Sequence, residues 1–245
     1  MSGEVEPILT VEDITCTFDD IVAVDTVSLE LPPEKLVAII GPNGSGKTTL
    51  LRMMAGLVKP DRGTISRLDD GPHRQNGYLP QEPRFRQGFT TRETLTFYTR
   101  LAGSDPSVVD SLLEMVGLTQ ASSMRVEELS GGMLGLLGIA QSLVGDPPLT
   151  ILDEPTTGLD PGMRRHVFEV IDGLVEDGRG VVIASHDLEL VERHADVVGI
   201  LDGGRLVAEG SPEVLIEEYE GDSLDAVFDT VTEIEGAVTV RRGGT

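Results

Sequence analysis

The stretch Gly41-Pro42-Asn43-Gly44-Ser45-Gly46-Lys47-Thr48 fits the pattern G-x-x-x-x-G-K-[ST], the signature of a phosphate-binding loop. Its flanks fit as well. Leu36-Val37-Ala38-Ile39-Ile40 is a short apolar run that reads as a buried strand, and Thr49-Leu50-Leu51-Arg52-Met53-Met54-Ala55-Gly56 reads as a helix. A strand, a glycine loop and a helix in that order point successive backbone N–H groups at a polyphosphate, and the helix N-terminus adds its partial positive charge. In such a loop Lys47 reaches the β/γ-phosphates and the Thr48 hydroxyl holds Mg²⁺.

Downstream, Leu129-Ser130-Gly131-Gly132 precedes Leu149-Thr150-Ile151-Leu152-Asp153-Glu154, an apolar strand ending in two carboxylates. Such an end presents Asp153 to a Mg²⁺ shell and leaves Glu154 beside a γ-phosphate, where a carboxylate can act as general base on the attacking water. Gln81 in Leu79-Pro80-Gln81-Glu82, Thr157-Gly158-Leu159-Asp160 and Ser185-His186-Asp187 complete the set. With these motifs in this order, the chain resembles the nucleotide-binding subunit of an ABC transporter along nearly its whole length.

The resemblance implies an ATPase with ATP and Mg²⁺ as cofactors. Gly41 to Thr49 would cradle the phosphates, Phe18 would stack on adenine, and Thr48, Gln81 and Asp153 would hold the metal. Glu154, His186 and Gln81 would surround the γ-phosphate. Ser130, Gly131 and Gly132 would meet nucleotide across a head-to-tail dimer, formed by two copies or by a pair of related subunits around two ATP, and Asp160 would also belong to the ATP-binding set. A separate transmembrane permease would bind the helical lobe, with Phe89, Phe97 and Tyr98 as candidate anchors. That arrangement places the subunit in the cytoplasm, peripheral at the inner face of the membrane.

The sequence departs from the family pattern after the signature glycines. Met133 stands where glutamine is usual, which removes a ribose hydrogen-bond donor, and Leu134-Gly135-Leu136-Leu137-Gly138 replaces a basic stretch. Packing of that helix and the ATPase rate are therefore open at this point. Methionine there, together with Asp222-Ser223-Leu224-Asp225-Ala226-Val227-Phe228, resembles the ABC-2-type branch, including its copper-processing members, and tilts towards export. Glu34 stands where a turn glycine is common.

The 245 residues carry 42 acidic against 19 basic side chains, net −23, and the only lysines are Lys35, Lys47 and Lys59. Such a field repels nucleic acid and anionic headgroups. The acid is scattered, as in cytosolic proteins of halophiles, where high salt shortens the screening length to roughly 3 Å at 1 M. No signal peptide and no apolar run of about 20 residues is visible, so a channel would be another polypeptide. Cys16 is the only cysteine and reads as a buried apolar side chain.

The expected fold is α/β: a P-loop NTPase core with an antiparallel β subdomain and an inserted α-helical lobe, in one ABC ATPase domain over residues 1–245. Residues 1–82 and 146–210 form the core, 83–145 the lobe and 211–245 a C-terminal extension. Alternation over Ile8 to Leu31 predicts antiparallel strands. Gly63 to Leu79 is turn-rich, with short strands at Thr64-Ile65-Ser66 and Gly77-Tyr78-Leu79. Thr91–Leu101, Pro106–Val116 and Gly131–Val144 carry helical periodicity, as do Pro161–Glu176, Pro212–Tyr219 and Ser223–Thr232. Val181–Ala184 and Val197–Leu201 read as buried strands, the latter followed by a Gly203-Gly204 hairpin. Two rivals remain: a soluble ABC ATPase without a transport role, and a weakly hydrolysing regulatory nucleotide-binding module.

Overall fold

The computed structural model describes residues 6–68 and 76–232. Part of the turn-rich stretch from Gly63 to Leu79 and the end of the C-terminal extension lie outside the described residues. Leu36–Ile40 (β3) is a central strand buried along its whole length. Its side chains alternate: Leu36, Ala38 and Ile40 enter one apolar core, and Val37 and Ile39 enter another on the opposite face. Gly180–Ala184 (β7) and Val197–Asp202 (β8) flank it in parallel. Leu149–Asp153 (β6) pairs with β7, and Asn76–Leu79 (β5) pairs with β6, again in parallel. Arg205–Gly210 (β9) turns back antiparallel to β8 through Gly203-Gly204, giving the sheet order β5-β6-β7-β3-β8-β9.

Leu9–Phe18 (β1), Ile21–Leu31 (β2) and Arg62–Arg67 (β4) form a second, antiparallel sheet of order β2-β1-β4. The helix Lys47–Met54 (α1) lies between the sheets, and Leu50, Leu51, Met53 and Met54 are at most 1% exposed. Burying both sides of this helix requires an apolar face wider than a single stripe, which the Leu-Leu and Met-Met pairs supply.

Between β5 and β6 the chain is helical: Thr91–Leu101 (α2), Val109–Met115 (α3) and Gly131–Ser142 (α4). A capping box starts α2, with the Thr90 side chain accepting from the Glu93 N–H and Glu93 accepting from the Thr90 N–H. Pro106–Val108 forms a 3₁₀ turn before α3 rather than its first α-helical turn. Glycines account for the close packing of α4. A Cβ on Gly132 would lie 2.6 Å from Met163 Cγ, and one on Gly138 would lie 2.4 Å from Leu79 Cδ1 and 3.3 Å from Pro83. Of the two glycines foreign to the family pattern here, Gly138 sits where the helix meets the end of β5 and the loop after it, whereas a Cβ on Gly135 would make only ordinary contact, 3.8 Å from Pro155 O.

Pro161–Glu176 (α5) and Leu188–His194 (α6) cover the other face of the large sheet, and α6 has no counterpart among the helices expected from sequence. Pro212–Glu218 (α7) follows β9. Residues 224–232 are helical and bury Leu224, Val227 and Val231 against the core. Glu34 takes a left-handed φ of 56°, as a position favouring glycine would.

Candidate functional site

Four parallel strands bring their carboxyl ends to one edge of the sheet, where open α/β sheets bind ligands. The glycine loop follows β3, Gln81 follows β5, Glu154 follows β6 and His186 follows β7. Strand register sets the last two side by side. Asp153 pairs with Ala184, the Glu154 N–H donates to Ala184 O at 3.1 Å, and the Ser185 N–H donates to Ile39 O at 3.3 Å.

The loop is shaped for an anion. Gly44 and Gly46 have φ of 82° and 103°, and a Cβ on Gly46 would stand 2.1 Å from Ala23 O. A Cβ on Gly41 would stand 2.1 Å from Leu201 O. The β8–β9 turn braces the loop through Gly204 N–H to Ser45 O at 3.0 Å. Buried Ser45 Oγ has no hydrogen-bond partner among the described residues. Lys47, 5% exposed, donates from Nζ to the carbonyls of Gly41 at 2.7 Å and Pro42 at 3.1 Å. Those carbonyl oxygens stand in for the phosphate oxygens expected around an ammonium. Burial pulls its pKa down, and the charges of Glu154 and Asp153 oppose that shift.

Thr48 Oγ1 donates to Asp153 Oδ1 at 3.1 Å, and the Tyr78 hydroxyl donates to Asp153 Oδ2 at 3.3 Å. Burial pushes the Asp153 carboxyl up, the two donors pull it back, and the Glu154 charge adds to the rise. Burial also raises the Tyr78 phenol, and the Arg52 guanidinium opposes that rise. Glu154 lies in the left-handed region at φ 52°. Such a backbone costs on the order of 1–2 kcal/mol and is found where geometry is imposed for function. Its Oε1 is 2.6 Å from His186 Nε2, and its Oε2 accepts from Thr157 Oγ1 at 2.7 Å.

A cleft of about 320 Å³ is lined by Asn43 to Thr49, Gln81, Glu154 and the apolar rim Ile21-Val22-Ala23. Ile21 and Val22 are 73% and 49% exposed, and sequence reasoning missed them. Their signal was an apolar pair at a β-hairpin tip beside Phe18. Phe18 itself is 50% exposed and pairs with Ile21 across the hairpin, but it does not line the cleft. Neither Ser130 nor Asp160 lines it. Ser130 Oγ caps α4 by accepting from the Met133 N–H at 3.2 Å, and exposed Asp160 caps α5 by accepting from Gly162 and Met163. Gly131 shares a second crevice with Gln81 and Glu154, whereas Gly132 is packed under Met163. Arg164 ties the turn after Glu154 to the segment after His186, with Nε to Leu159 O at 2.9 Å and Nη1 to Asp187 Oδ2 at 3.4 Å.

The family model described as ABC transporter matches residues 24–157, which span the glycine loop, Gln81, the Ser130-Gly131-Gly132 segment and Glu154. The chain belongs to that family. It is 38% identical over 227 residues to Nod factor export ATP-binding protein I of Rhizobium etli, covering 88% of this chain and 72% of that protein. It superposes on a solved ATP-binding subunit of an ABC transporter with a TM-score of 0.81 at 30% identity, over 92% of this chain and 99% of the other. A further match is cbiO1 of Clostridium perfringens, described as part of the ABC transporter complex cbiONQ. Its TM-score is 0.77 at 26% identity, over 88% and 92% of the two chains. The subunit is an ABC ATPase that binds ATP and hydrolyses it to energise transport. Among the described residues no helix is long and apolar enough to cross a membrane.

Proposed function

We propose that the subunit powers an exporter of the ABC-2 type from the cytoplasmic face of a membrane, through an ATP-sandwich dimer that closes on binding and opens on hydrolysis. The observation that carries the dimer is the placement of Ser130. It crowns an exposed helix N-terminus yet lies outside the chain's own phosphate cleft, so its only route to a nucleotide is a second chain. Gly131 beside it is exposed as well. The Nod factor exporter relative supports export, and cbiO1, as part of a larger transporter complex, supports a separate membrane partner.

In this reading Gly41 to Thr49 bind the phosphates, with Lys47 leaving the loop carbonyls for the β/γ oxygens. The rim of Phe18, Ile21 and Val22 holds the adenine face. Glu154 accepts the proton of the attacking water, Gln81 orients that water, and His186 fixes Glu154 while facing the γ-phosphate. Thr48 and Asp153 are hard oxygen donors suited to Mg²⁺, with Gln81 as a third. Mg²⁺ takes one or two protein carboxylates and leaves the rest of its shell to phosphates and water. Bound there, it would neutralise charge developing on the transferred phosphoryl group.

Phe89, Phe97 and Tyr98 stack edge to face beside Phe85, and Phe97 is 48% exposed. Of the aromatics named from sequence, Phe97 is the one free enough to anchor a helix of the membrane partner. The acidic surface suits the cytosol of a halophile. Hydrolysis should rise with the square of subunit concentration until the dimer saturates, and Ser130→Arg should abolish it while leaving ATP binding in place. A rate per subunit independent of concentration, with Ser130→Arg fully active, would reject the two-chain site.

A further inference from the structure

We infer that Tyr78 is a positioning residue for the metal-binding carboxylate: its hydroxyl fixes Asp153 so that one edge of that carboxylate stays presented to Mg²⁺. The inference rests on the assignment of Asp153 as a Mg²⁺ ligand made above. Asp153 is 1% exposed, and both its oxygens are held, Oδ1 by Thr48 and Oδ2 by Tyr78. Thr48 is itself an expected metal ligand, so its bond rearranges when the metal binds. The Tyr78 bond is then the one that outlasts loading.

The Tyr78 ring packs against the core beneath the antiparallel sheet, a space that phenylalanine would fill equally well. Packing therefore explains the ring and not the hydroxyl. The positive charge of Arg52 on α1 favours the anionic forms of both the phenol and the Asp153 carboxyl, so it acts on the two partners of this bond together. Partners that orient a metal-binding carboxylate typically change metal affinity by about 10–100-fold when removed. Tyr78 also lies on β5, which ends at Leu79 just before Gln81. The strand that places the water-orienting glutamine is thereby pinned to the metal carboxylate.

The experiment measures how much Mg²⁺ tightens binding of a fluorescent ATP analogue, as the ratio of dissociation constants in EDTA and in Mg²⁺. It compares the full chain with Tyr78→Phe, Arg52→Met and Asp153→Asn. Tyr78→Phe should leave affinity in EDTA at the parent value and cut the Mg²⁺ enhancement about tenfold. Arg52→Met should shift it the same way by less, and Asp153→Asn should remove it. If Asp153→Asn keeps the full enhancement, the metal assignment itself falls. If Asp153→Asn removes it while Tyr78→Phe keeps it, the Tyr78 role alone is overturned. Equal loss of affinity in EDTA and in Mg²⁺ for Tyr78→Phe would make the hydroxyl structural and overturn the role as well.

Discussion

At the scale of single residues, the arrangement turns on Glu154 and its contacts. Its left-handed backbone, its 2.6 Å approach to His186 and its bond to Thr157 hold one carboxylate at the mouth of the phosphate cleft. Glu154→Gln keeps the shape and removes the basicity, so turnover should fall by about 10²–10⁴ with ATP affinity intact. Lys47→Ala should instead weaken ATP binding itself, because its ammonium is the buried cation of the loop. Steady-state kinetics beside equilibrium nucleotide binding separate the two outcomes. The identities of these residues were legible from pattern, since each motif is contiguous and its chemistry allows few substitutes. Their present partners were not. That Lys47 folds onto the carbonyls of Gly41 and Pro42 depends on how the loop closes, and that Tyr78 reaches Asp153 depends on a contact between segments far apart in sequence.

At the scale of elements, α2 and α5 run between the residues that periodicity and caps indicate, because capping residues mark their starts. The short helix α6 escaped notice because it offers only Leu190 and Val191 as buried side chains, too few to set a period. Gly138 of α4 looked like a departure from pattern until the neighbours it admits, Leu79 and Pro83, were in view; Gly135 meets no such close neighbour. Tight contact of the same kind occurs at Gly77, where a Cβ would meet Ser142 O at 2.3 Å. Gly77→Ala should push β5 off the end of α4 and cost about 1–3 kcal/mol, read as a lower urea midpoint. Thr90→Ala removes half of the capping box on α2 and should cost about 1 kcal/mol. It should leave ATP binding unchanged, since α2 lies away from the phosphate cleft.

At the scale of the whole molecule, the charge of −23 opposes compaction. Many ion pairs are exposed at both ends, as for Arg193–Glu189 and Arg84–Glu82, and exposed pairs contribute little. The thermal midpoint should therefore climb steeply between tens of millimolar and molar KCl as repulsion is screened, and a flat response would remove the halophile assignment. Assembly is the other whole-molecule property, and a single chain's sequence encodes it only through residues that, like Ser130, carry ligand-binding chemistry but lie outside their own cleft. Light scattering on Glu154→Gln with and without MgATP tests the central claim most directly. The account predicts a monomer without nucleotide and a stable dimer with MgATP, lost again in Glu154→Gln/Ser130→Arg. A Glu154→Gln chain that binds MgATP and stays monomeric at every concentration would contradict it.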